Sequence, residues 1–139
     1  MADAKEKKAQ ELYMEFQMID KRIKQLQQQL ELLTSQLIEL NVTSSMLDDF
    51  KKIESGKSIF VPLSSGIFAK ASITDTSEVL VNVGANIAVK KDIPSTKKII
   101  QNQIEEMKKV QHQMVDDLEK MTDRAANLER QLHGIVSEG

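Results

Sequence analysis

With 139 residues, 40% of them hydrophobic and 4% aromatic, no cysteine and a net charge of −2, the chain has the size of one domain. So balanced a charge and so few aromatic rings exclude a dedicated nucleic-acid binder, which needs a basic face and stacking platforms. The absence of cysteine excludes a disulfide framework and thiolate metal sites and fits a reducing compartment.

The opening Met1-Ala-Asp-Ala-Lys-Glu-Lys-Lys lacks the apolar core of a signal peptide. No run approaches the ~18 apolar residues of a membrane span. A cytoplasmic, soluble protein with no membrane contact is expected. From residue 6 to 54 the chain contains neither Gly nor Pro, and Leu12, Phe16, Ile19, Ile23, Leu26, Leu30, Leu33, Leu37 and Leu40 recur at alternating spacings of four and three. That period places them on one narrow helix stripe, which must pack against another helix. Leu47 stays in phase, and Gly56 is positioned to cap the helix in the left-handed conformation.

The period then changes to two. Ser58–Leu63 and Ile67–Ile73 read as strands around a Ser64-Ser65-Gly66 turn, and Glu78–Val83 and Asn86–Lys90 as a second pair joined at Gly84-Ala85. Two β-hairpins are expected. Pro62 belongs near a strand end or on an edge, since it cannot donate to a ladder. A stretch this short cannot hold a core alone, and its hairpins have open edges, so they are expected to join strands from other subunits in a closed barrel.

Asp92 or Ser95 can cap a second helix, with Pro94 tolerated in its first turn. Its seam runs through Ile100, Ile104, Met107, Gln111, Met114, Leu118, Met121, Ala125, Leu128, Leu132 and Ile135. Gln111 is the polar interruption, a device that fixes register. Antiparallel pairing with Glu54 near Ser95 carries Leu40 to the Met107 region and Leu12 and Phe16 to Leu132 and Ile135. Both termini then meet at one distal tip carrying Leu12, Tyr13, Met14, Phe16, Leu128, Leu132, Ile135 and Val136.

The expected fold is therefore mainly α with small β: a long antiparallel two-helix coiled coil joined by two β-hairpins that assemble into an intersubunit β-barrel. Its parts are an N-terminal coiled-coil helix over 1–55, a hairpin oligomerisation region over 56–92 and a C-terminal coiled-coil helix over 93–139.

Such a coil has no deep interior for chemistry. Gly56-Lys57-Ser58 has the ending of a phosphate-binding loop, but Lys51 stands where the loop's first glycine is required, and the segment leaves a helix instead of opening one. His112 and His133 are too far apart to form a local ligand set. Asp48-Asp49, Glu105-Glu106 and Asp116-Asp117 are neighbours whose helical side chains diverge. No catalytic residue, metal or cofactor is expected, and the function lies in binding.

Ile59-Phe60-Val61-Pro62-Leu63, Val79-Leu80-Val81-Asn82-Val83-Gly84-Ala85-Asn86 and Lys91-Asp92, set between two long helices, resemble the alpha class of the prefoldin family across almost the whole chain. Two hairpins, where beta-class subunits have one, are the most specific part of the likeness. The resemblance implies a hexamer of two alpha and four beta subunits on paired β-barrels. It also implies capture of unfolded clients at coiled-coil tips and their transfer to a group II chaperonin, without ATP use. It assigns client contact to the eight tip residues above and assembly to Ile59, Val61, Ile67, Ile73, Val79, Val81 and Ile87. The rival reading is a structural homo-oligomer or filament with no beta-class partner.

Overall fold

The computed structural model describes residues 2–138; Met1 and Gly139, the outermost positions of the expected helical segments, lie outside the described residues. Helix α1 (Ala2–Lys51) is followed by strands β1 (Ser58–Ser64), β2 (Ile67–Ser72), β3 (Glu78–Gly84) and β4 (Ile87–Asp92), then by helix α2 (Ile93–Glu138). Two long helices joined by two hairpins are the expected mainly helical architecture. The contacts divide into two compact units, one formed by residues up to Gln36 together with those from Met107 onward, the other by Leu37–Glu106.

In the first unit the helices run antiparallel. Gln111 Nε2 donates to Thr34 Oγ1 at 3.1 Å, so the polar interruption of the second seam finds its partner on the facing helix. That contact sets Leu33 level with Gln111 and, counting outward by heptads, Phe16 with Leu128 and Leu12 with Leu132. The expectation set Leu12 and Phe16 together opposite Leu132 and Ile135, a few residues farther along α2. Arg124 bridges the pair as well, donating from Nη2 to Glu15 Oε1 at 2.8 Å and from Nε at 3.2 Å. Leu12 and Leu128 are buried, and the remaining seam residues are half-buried.

The second unit holds the hairpins. Helix α1 closes at Lys51, earlier than the expected Glu54, through the short-turn bonds Lys52 N–H to Asp49 O and Ile53 N–H to Phe50 O, both 3.1 Å. Gly56 does not cap it. With φ +88 it turns the chain toward β1, and its N–H donates to Ile73 O at 2.6 Å, which extends the first ladder beyond its strands.

Asp92 caps helix α2 from the position before it, its Oδ1 accepting the Ser95 N–H at 2.7 Å. The buried Thr96 hydroxyl is satisfied by donating to Asp92 O at 2.8 Å. Ile93, Ile100 and Ile104 form the buried core with Leu37, and the Lys97 ammonium donates to Asp48 across the helix pair.

Each sheet has two antiparallel strands. The hairpins share one ladder: Ser58 pairs with Ser72 as Glu78 pairs with Asp92, Pro62 with Phe68 as Asn82 with Ala88, and Ser64 with Ile67 as Gly84 with Ile87. Both shift register at the same place, between Pro62 and Ser64 and between Asn82 and Gly84. The chain therefore carries one module twice.

In the second hairpin the turn residues are Ala85 and Asn86, with φ 51 and 60, not the expected Gly84-Ala85. Positive φ at both central positions is the requirement of a type I′ connection, whose twist matches that of the strands. Gly84, with φ 108, occupies the irregular position instead, and its N–H donates to Asn82 Oδ1 at 2.9 Å.

Candidate functional site

The first unit carries the residues expected to touch clients, and the structure divides them by burial. Leu12 and Leu128 are seam core, at 8% and 0% exposure, and Phe16, Leu132 and Ile135 are half-buried. Tyr13, Met14 and Val136 are exposed at 54%, 63% and 74%. Met18, one turn beyond Met14, is 73% exposed and extends the same strip; the sequence reading passed over it. The available signal was apolar spacing off the seam, since Met14 and Met18 are four residues apart and neither fits the stripe of Leu12, Phe16 and Ile19. An exposed apolar strip of this kind is suited to contact with other apolar surface.

In the second unit the residues expected to direct assembly also split. Ile59, Val61, Ile73, Val79 and Val81 are half-buried within their own chain, while Ile67 and Ile87 are exposed. Val79, Leu80 and Val81 line a groove of about 590 Å³ with Leu40 and Leu47 of α1 and Ile100 of α2. The most exposed strand side chains are Phe60, Leu63, Phe68 and Leu80. Alternation accounts for Phe60, Phe68 and Leu80, whose neighbours Val61, Ala69 and Val81 are half-buried; Leu63 has the parity of Val61 and sits at the register shift between Pro62 and Ser64. The first hairpin carries apolar side chains on both faces, whereas Glu78, Asn82, Lys90 and Asp92 make one face of the second largely polar around Leu80.

Three aspartates of this unit have carboxyl pKa values below the ordinary one. Asp48 is lowered chiefly by its hydrogen bond from Lys97, Asp75 by hydrogen bonds from the Ser77 hydroxyl and N–H, and Asp92 by those from Ser95. A depressed folded-state value means the folded chain binds fewer protons. The stability so contributed is complete above the unfolded value, about 3.9, and is lost as pH falls through the depressed values. Thermal scans are therefore expected to show a falling midpoint from about pH 4 downward, with a flatter profile for Asp92→Ala. A profile unchanged by that substitution would contradict the capping role.

Gly56 and Lys57 cannot cradle a phosphate. Their N–H groups are committed to Ile73 O and Glu54 O at 2.6 and 3.2 Å. His112 faces Asp116 at 3.8 Å on an open helix surface. Among the described residues no group of His, Cys, Asp and Glu side chains is arranged to hold a metal, and no helix is long and apolar enough to cross a membrane.

Comparison with known proteins places this arrangement. Residues 19–138 match the family model described as prefoldin subunit. The chain is 30% identical over 112 residues to prefoldin subunit alpha of Methanobrevibacter smithii, covering 81% of this chain and 76% of that one. It is 27% identical over 129 residues to prefoldin subunit alpha of Thermofilum pendens, covering 93% and 97%. Among solved structures, a filamentous PFD from Methanocaldococcus jannaschii seen by cryo-EM shares the fold with a TM-score of 0.69 at 18% identity, over 89% of this chain and 97% of that one.

Proposed function

The chain belongs to the prefoldin family, whose members are chaperones, and from that premise we propose that it is the alpha-class subunit of an ATP-independent holdase. In this reading its hairpins join those of beta-class subunits in a cytoplasmic hexamer of two alpha and four beta chains. The exposed strip of the first unit holds unfolded clients until they pass to a group II chaperonin. The observation that carries the reading is that strip itself: Tyr13, Met14, Met18 and Val136 stand open to solvent where nothing in the chain covers them.

Magnitudes favour capture with release. Fully burying a large apolar side chain stabilises by ~1.5–3 kcal/mol, so a partly engaged strip holds a client weakly. Several such strips on one particle add avidity without tight individual contacts.

Replacing Tyr13, Met14, Met18 and Val136 together by serine is expected to cut suppression of client aggregation several-fold, read by light scattering, while particle mass and helix content stay unchanged. Undiminished suppression would remove these residues from client capture.

The filament reading has one observation in its favour. Two equivalent, open-edged hairpins on a single chain make it bivalent, and a bivalent chain can propagate without a second subunit type.

A further inference from the structure

The chain has seven methionines and no cysteine, so its side-chain sulfur chemistry is thioether chemistry alone. Six of the seven fall into two sets. Met107, Met114 and Met121 of α2 are half-buried seam residues, whereas Met14, Met18 and Met46 of α1 lie off the seam at 63%, 73% and 63% exposure. Oxidation of methionine follows exposure, and it turns a flexible apolar side chain into a polar one. At a seam position that change would disturb packing. At Met14 and Met18 it would leave the helix pair intact and alter only the surface.

Resting on the capture reading above, we propose that Met14 and Met18 are sites of reversible sulfoxidation by peroxide, and that oxidising them switches off client binding without unfolding the chain. In the forward step the thioether sulfur donates an electron pair to the distal peroxide oxygen. The O–O bond breaks, the S–O bond forms, and with proton transfer hydrogen peroxide leaves as water. In the reverse step a methionine sulfoxide reductase uses two thiols, which end as a disulfide while the oxygen leaves as water. Two features of the site suit a switch. The thioethers are four residues apart on one helix face, so both change the same strip. Met46 is equally exposed but belongs to the other unit, and its oxidation is a built-in control.

The test treats the assembled particle with dilute hydrogen peroxide, maps oxidation by peptide mass spectrometry and measures client aggregation, each protein being compared with its own untreated sample. Met14, Met18 and Met46 are expected to gain oxygen before the seam methionines. Suppression should fall several-fold at unchanged helix content and return after methionine sulfoxide reductase treatment. The Met14→Leu, Met18→Leu double variant is expected to lose little on treatment, and Met46→Leu to respond as the wild type does. Equal losses in the double variant and the wild type, or full suppression with both thioethers oxidised, would overturn the inference. A particle that fails to suppress aggregation before treatment would overturn the capture reading and this inference together; a working particle indifferent to oxidation would overturn this inference alone.

Discussion

A chain carrying Phe60→Asp and Leu80→Asp is expected to stay folded and to fail to assemble, with native mass falling to that of the free subunit while circular dichroism still reports the helices. The two positions are equivalent in the repeated ladder, Phe60 pairing with Lys70 as Leu80 pairs with Lys90. Their exposures, 70% and 68%, mean that neither side chain is part of the chain's own core. A carboxylate at either site is fully hydrated in the free subunit. If a partner covers that face, each carboxylate must be stripped of water together with the lysine opposite it, Lys70 or Lys90, and desolvation costs several kcal/mol per ion before their mutual attraction is counted. Two such sites exceed what a modest interface can absorb. An aspartate at Val81 is a poorer probe, because Val81 is half-buried within its own chain where Leu80 is exposed, and its loss would mix folding with assembly. An unchanged native mass would show that these strand faces are not assembly surfaces.

The second large effect is on stability. Leu128→Ala is expected to destabilise the helix pair by about 2–5 kcal/mol, the usual range for emptying a fully buried leucine site. Leu128 has 0% exposure, and the register set by Gln111 and Thr34 places it level with the half-buried Phe16. A coil of two helices has few layers and limited means of closing the space left behind. Thermal unfolding of the variant should show a clear fall in midpoint, with any loss of client binding following from fraying. A midpoint like that of the wild type would mean that Leu128 is surface after all. The contrast with Tyr13 and Met14 is the useful one: those substitutions should change capture and leave the midpoint alone.

Much of the architecture was legible because it is written in periods. The alternation of four and three through Leu12–Leu40 and Ile100–Ile135 fixed two helices and the face each buries, and the switch to a period of two at Ser58 and Glu78 fixed the strands. Helix ends were harder. Gly56 invited a capping reading, yet the helix closes at Lys51 through two short-turn bonds, since the intervening residues serve the turn into β1 instead. The second turn was misplaced by one residue because Ala85 accepts a left-handed conformation that sequence preference would assign to glycine.

Surface residues were the least legible, for a physical reason. An apolar side chain at a terminus, such as Leu12, reads the same whether it faces a partner helix or water. The seam spacing set Leu12 on the stripe and Tyr13 off it, and exposures of 8% and 54% show one as core and the other as surface. In the strands, Phe60 and Val61 are both apolar, and the packing of β3 beside α1 and α2, not the pattern, decides which face of the second hairpin is half-covered.

Native mass spectrometry with a beta-class subunit and a chemically denatured client would decide whether this chain completes a mixed particle that holds unfolded protein. The account predicts a discrete particle of two alpha and four beta chains that retains client in the absence of ATP. Open-ended polymers of this chain alone, indifferent to the beta-class subunit and carrying no client, would contradict it.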